Sequence, residues 1–185
     1  MVSIVESEQT FVAAAGTCIL GSHNRPVVGK MYFNANKIKP QKSNYLLYVD
    51  NLYTAMHELT HILGLSPHLF KYFYDKQTGK SAGPVTKTVN TSANLSTTYI
   101  ILEPLRSIAR EYFGCSSLIG VPMENQGGSG SSGSHWERKY FLNEFMTAST
   151  FRDNRVSIFT LALLDSTGWY YDVDYSMAEP FVWGK

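Results

Sequence analysis

Hydrophobic side chains first gather in two short runs. Residues 11–20 and 27–33 carry strand-forming stretches separated by Gly21-Ser22-His23-Asn24-Arg25-Pro26, which predicts two strands joined by a turn, with His23 a solvated turn residue. The period then changes. Tyr45, Leu46, Val49, Leu52, Tyr53, Met56, Leu59 and Leu63 recur at steps of three and four, the apolar stripe of an amphipathic helix. Ser43 is placed to cap this helix, and Gly64 stands where a left-handed, helix-ending residue is expected. Further on, residues 70–75 read as a short helical or extended piece leading to a loop at 79–84. A second helix is predicted over 104–113, with Leu105, Ile108, Ala109, Tyr112 and Phe113 facing inward. An apolar last helix is predicted over 156–167, ended by Gly168. No internal repeat is visible, and the mixture of strands and helices places the chain in the α+β class.

Composition narrows the function classes without choosing one. The 185 residues suffice for one large domain or two small subdomains around a cleft, and a hydrophobic fraction of 44% with 14% aromatics is that of a globular protein. A formal charge of +1 gives no reason to invoke nucleic acid or an anionic membrane. No run of about twenty apolar residues is present, so no membrane span is expected. Glu6 and Glu8 stand where a signal peptide would be basic, and there is no hydrophobic C-terminal tail of a glycolipid-anchor signal.

The chemistry concentrates in His57-Glu58-Leu59-Thr60-His61. On a helix, positions i and i+4 lie one above the other, so both imidazoles can reach a single Zn²⁺ at about 2.0–2.1 Å. Glu58 flanks them without being a ligand and is placed to act as general base on a zinc-activated water. The plainer alternative is a pair of helix-surface histidines beside an ordinary glutamate; the apolar stripe running into the motif argues instead for a packed helix. A catalytic zinc site needs a third protein ligand. A histidine at position 67 would complete the pattern H-E-x-x-H-x-x-G-x-x-H, but Pro67 stands there and His68 comes one place late. Glu103, Glu111 and Glu144 are available by separation, each also readable as a helix-surface charge, and His135 ends the glycine- and serine-rich run 127–134. That run is itself readable as a flexible linker, or as a flexible approach to the metal.

The combination of the helix motif, a long intervening segment, Gly133-Ser134-His135-Trp136 and Glu144-Phe145-Met146-Thr147 resembles the leishmanolysin family of zinc metallopeptidases. Residues 13–18, 25–29, 109–115 and 161–170 look like further family blocks in the same order, so the resemblance covers nearly the whole chain. It implies a metzincin-like zincin fold, with residues 65–134 inserted before the third ligand. A partial N-terminal subdomain (1–64) would carry the zinc helix, and a second one (65–185) the third ligand. By this resemblance His57, His61 and His135 are ligands of one catalytic Zn²⁺, Glu58 is the catalytic base, and Met146 is the methionine of the turn beneath the metal, which can equally be read as filling a core gap. The substrates implied are proteins or peptides.

The resemblance also implies a secreted or surface-anchored protein with many disulfides. Cys18 and Cys115 match family positions whose partners lie outside this chain, so they need not pair with each other; two reduced thiols of a cytosolic protein are the alternative. The tripeptides Asn90-Thr91-Ser92 and Asn94-Leu95-Ser96 are N-glycosylation acceptors that fit an extracellular setting. Missing blocks at both ends lead us to expect a fragment of a longer protein or a truncated gene model. The rival function class is therefore an inactive or truncated surface or cell-adhesion protein that keeps a structural zinc.

Overall fold

The structure, a computed structural model, describes residues 1–38, 44–90, 96–149, 151 and 153–185. Near the N-terminus lies a three-stranded sheet of β1 (Val2–Val5), β2 (Ala13–Leu20) and β3 (Pro26–Asn34), in the order β1-β3-β2. β2 and β3 are the two strands the sequence predicts, paired antiparallel; β1 joins β3 in parallel and was not anticipated. The segment between β1 and β2 is tied down by buried Asn34, whose side-chain amide donates to the carbonyls of Ser7 and Phe11 at 3.1 Å each. At the turn, His23 and Asn24 adopt left-handed backbone (φ 53° and 56°), and the His23 ring stacks on Tyr74 with centroids 5.1 Å apart. His23 is exposed as expected, but it is held against the next part of the chain.

The long helix α1 (Tyr45–Leu63) packs on β2 and β3. Its cap is Asn44, whose side chain accepts from the Leu47 amide; Ser43, expected in that role, lies outside the described residues. Only part of its apolar stripe is covered, with Tyr53 and Met56 packed against the core. Leu52 and Leu59 stay 44% and 45% exposed, whereas Glu58, Thr60 and Ile62 are buried. Sheet contact decides this: a Cβ on Gly29 of β3 would lie 2.6 Å from the Ile62 side chain, so glycine there lets the helix settle with Ile62 inward. Gly64 is also not left-handed, since its φ is 179°. A Cβ there would meet Thr167 Cγ2 at 3.2 Å and Leu164 Cδ2 at 3.3 Å, so its smallness serves close packing.

After Gly64 come α2 (Pro67–Phe70), a second sheet of β4 (Thr86–Asn90), β5 (Ser96–Ile100) and β6 (Val121–Pro122), α3 (Leu105–Tyr112), α4 (Arg138–Phe141) and α5 (Ile158–Ser166). The second sheet is antiparallel in the order β4-β5-β6. α3 and α5 match the two later predicted helices, each slightly shorter. Ser157 caps α5 by accepting from the Phe159 amide, and Gly168 (φ 85°) turns the chain after it; a Cβ there would lie 2.2 Å from the Tyr74 carbonyl oxygen. The core gathers around α5, from Leu65, Phe73, Ile100, Leu105, Trp136, Phe141, Met146, Phe159 and Leu163. Among the described residues no helix is long and apolar enough to cross a membrane.

Candidate metal centre

Three histidines meet where the end of α1 faces the loop before α4. The Nε2 atoms of His57 and His61 are 3.0 Å apart, those of His57 and His135 3.0 Å, and those of His61 and His135 3.2 Å. Helical spacing brings the first two together, and the folded glycine-serine run delivers the third. Gly127, Gly128 and Gly133 all take positive φ in that run, and it closes as hydrogen-bonded turns, with Ser131 N and Ser132 N donating to Gly128 O and Gly133 N to Glu124 O. The run is therefore a built turn in this structure and not an open tether.

Each imidazole is fixed from behind by a main-chain carbonyl. His57 Nδ1 lies 2.6 Å from Phe145 O, His61 Nδ1 2.7 Å from Leu65 O, and His135 Nδ1 3.0 Å from Ser131 O. A carbonyl only accepts, so each Nδ1 carries the proton and each Nε2 is left with a lone pair. Burial, aided by the neighbouring imidazoles, pushes His57 down to about 3 and His61 down to about 4; burial lowers His135 as well. The imidazoles are thus neutral at neutral pH. Three lone pairs converging without protons between them repel, and a shared cation is the group that relieves this. The spacing suits a metal: an ideal tetrahedral site with bonds of about 2.0–2.1 Å has ligand atoms roughly 3.3 Å apart. Among the described residues, His57, His61 and His135 form the one group of three or more metal-ligating side chains.

The other candidates stand elsewhere. His68 is exposed on α2. Glu103 pairs with Arg106 at 2.7 Å, and Glu111 is exposed on α3. Glu144 is not a helix-surface charge: it is fully buried, and burial lifts it to about 7 against hydrogen bonds from Thr160, Met146 and Ser157 that favour its ionised form. Glu58 is buried beside His57, which raises it to about 7. Met146 is fully buried, and its carbonyl accepts from Trp136 N, one residue past His135. Cys18 and Cys115 are both free, consistent with their not pairing with each other. Sequence reasoning missed the three carbonyl anchors, because every residue carries a carbonyl and none leaves a mark in the side-chain pattern.

The family model for leishmanolysin, peptidase family M8, matches residues 1–185. The chain belongs to the leishmanolysin family. It is 30% identical over 213 residues to a leishmanolysin-like peptidase of Caenorhabditis briggsae, covering 97% of this chain and 31% of that protein. It is 33% identical over 181 residues to the ciliated left-right organizer metallopeptidase of Homo sapiens, covering 94% and 22%. To a leishmanolysin homolog of Crithidia fasciculata it is 30% identical over 185 residues, covering 100% and 26%. The chain spans less than a third of the length of these family members. Family membership makes the metal expected here that of a metallopeptidase, and the α+β architecture with two small sheets is consistent with the metzincin fold.

Proposed function

We propose that this chain carries the zinc centre of a metalloendopeptidase, with His57, His61 and His135 as ligands and Glu58 as general base. The observation that carries the reading is the meeting of three Nε2 lone pairs 3.0–3.2 Å apart, each imidazole held by a carbonyl on its other nitrogen. Zinc in such a site supplies Lewis acidity, making water a nucleophile near neutral pH and polarising a carbonyl. The protein's part is to keep three imidazoles neutral and aimed, and to place a carboxylate beside them. Glu58, raised by burial, takes the proton of the attacking water on a carboxylate oxygen and returns it to the departing amine. A bound cation would lower the Glu58 pKa and so favour its ionised form. Met146 belongs to the buried floor that fixes the His57 anchor. The centre lies where segments 1–64 and 65–185 meet, a division we read as two subdomains flanking a substrate cleft. The substrates in this reading are peptide bonds of proteins, in an extracellular or cell-surface setting.

Zinc content and cleavage of a quenched unfolded protein substrate, measured for the purified chain and for Glu58→Ala with a chelator control, test the assignment. The expected result is about one zinc in both proteins, with cleavage by the parent alone. A folded chain that binds no zinc would overturn the ligand set. Zinc in both with cleavage in neither would overturn the activity of this chain.

A further inference from the structure

Glu144 is a fully buried carboxylate whose hydrogen bonds all come from neutral donors. Its Oε1 accepts from the Thr160 hydroxyl at 2.6 Å, the Ser157 hydroxyl at 2.9 Å and the Ser157 amide at 3.4 Å; its Oε2 accepts from the Met146 amide at 2.5 Å. The Thr160 hydroxyl in turn accepts from Trp136 Nε1, and the Ser157 hydroxyl from Phe159 N, which leaves both hydroxyl protons for Glu144. A site made only of donors favours the carboxylate over the acid, against the burial that works the other way. The first turn of α5, with its partial positive charge, faces the same anion.

The Met146 amide belongs to the peptide group whose carbonyl is that of Phe145, and that carbonyl receives the Nδ1 proton of His57 at 2.6 Å. Glu144 therefore reaches His57 through one planar peptide. Hydrogen bonds in a chain polarise one another: an anion on the N–H end makes the carbonyl end a stronger acceptor, and a more firmly held Nδ1 proton makes Nε2 a better donor to a metal. The other two anchors lack this device. The peptide that holds His61 through Leu65 O donates its Ser66 amide to Gly64 O, and the peptide that holds His135 through Ser131 O donates its Ser132 amide to Gly128 O, both neutral carbonyls.

We propose that Glu144 is a positioning residue that acts through the Phe145–Met146 peptide to orient His57 and strengthen it as a metal ligand, an electrostatic asymmetry among the three histidines. The inference rests on the zinc reading, but its coupling step concerns the protein alone. The test compares the full chain with Glu144→Gln, Glu144→Asp and Thr160→Val. The readouts are zinc affinity by chelator competition, the proton shift of His57 Nδ1–H by NMR in the metal-free and zinc-loaded protein, and the unfolding temperature. Glu144→Gln is expected to lose about 10- to 100-fold in zinc affinity. Its His57 Nδ1 proton should move upfield in both metal-free and loaded protein, with those of His61 and His135 in place. Thr160→Val removes a hydrogen bond but not the charge, so it should lower the unfolding temperature and leave the His57 signal where it is.

If Glu144→Gln keeps both the affinity and the His57 shift and merely unfolds earlier, Glu144 is a core clamp and the proposal falls. Should Glu144→Gln not fold, Glu144→Asp decides: the shorter acid is expected to show an intermediate upfield shift, and a parental shift would overturn the relay. A chain that binds no zinc at all would defeat the proposed function, while the metal-free His57 shift would still report on the relay.

Discussion

Residues 1–64 and 65–185 contribute to this molecule in opposite ways. Beyond position 64 lies a dense core of Leu65, Phe73, Trp136, Phe141, Phe159 and Leu163, whereas among the described residues the first segment buries one large apolar side chain completely enough to count as core, Ile62, and leaves Val2, Ile4, Ile19, Val28, Tyr48, Leu52 and Leu59 open. Yet two of the three converging imidazoles, and the carboxylate beside them, belong to that thinly cored segment. The lesson is that an anchored site does not need each of its segments to carry a core of its own. The end of α1 is aligned from the other side, by Phe145 O on His57, Leu65 O on His61 and Tyr170 Oη on the Leu63 carbonyl at 2.9 Å. The first segment brings two imidazoles and a carboxylate, and the second brings His135 together with the anchors that align the end of α1.

The sharpest separation of the two roles is at Glu58. Glu58→Gln keeps the side-chain shape and should leave zinc binding and the unfolding temperature unchanged while cleavage falls about 10²- to 10⁴-fold, the usual worth of a positioned general base. Steady-state cleavage beside metal analysis checks this. An equal loss of zinc would show that Glu58 supports the site instead of acting in it.

On stability the contrast should invert. Phe159→Ala, at a fully buried position on α5 among Tyr112, Phe113 and Phe141, is expected to cost about 3–5 kcal/mol in urea unfolding. Leu52→Ala on the open face of α1 should stay within about 0.5 kcal/mol. Comparable costs at the two positions would mean that the first segment is covered in solution.

At the join, Gly64→Ala places a Cβ 3.2 Å from Thr167 Cγ2 and 3.3 Å from Leu164 Cδ2. Packed side chains must give way, at an expected cost of about 1–3 kcal/mol. Because His61 is three residues earlier and anchored to Leu65 O, the same change should weaken zinc binding, whereas a stability-matched change deep in the core should not. Chelator competition on both variants separates the two.

How much of this was legible in the sequence follows the same division. Strands β2 and β3 and helices α1, α3 and α5 are written in their periodicity, and the His57-Glu58-His61 spacing names its own chemistry. β4 and β5, Thr86–Asn90 and Ser96–Ile100, were not, because strands rich in threonine show little apolar alternation. The stripe on α1 gave a helix but only part of its covered face: Tyr53 and Met56 pack on the core while Leu52 and Leu59 stay open, and Gly29 in a distant strand is what admits Ile62. His135 lies 74 residues from His61, so only the family resemblance selected it over His68 and the glutamates. Glu144 reads in the sequence as a third-ligand candidate or a helix-surface charge, because nothing local reports that Ser157 and Thr160 will close over it.

The smallest loss expected at the join is also the most specific to it. Tyr53 of α1 donates its hydroxyl to Glu179 Oε2 at 2.9 Å, and the same oxygen accepts from Val156 N at 2.7 Å, so the phenol ties the helix to the segment that precedes α5. Tyr53→Phe removes about 1 kcal/mol, the net worth of one such bond. Burial first, and the Glu179 carboxylate second, raise the Tyr53 pKa from 10 to about 12. A folded-state pKa above the unfolded one means that the folded protein holds the proton longer. The contribution is therefore fully present below pH 10 and is lost as pH rises from 10 towards 12, where the unfolded chain ionises first. Urea unfolding of parent and Tyr53→Phe should accordingly differ at pH 8 and converge by pH 12. A difference that persists undiminished at pH 12 would show that the hydroxyl is not the tie, and that α1 is held to the core region by its packing and carbonyl anchors alone.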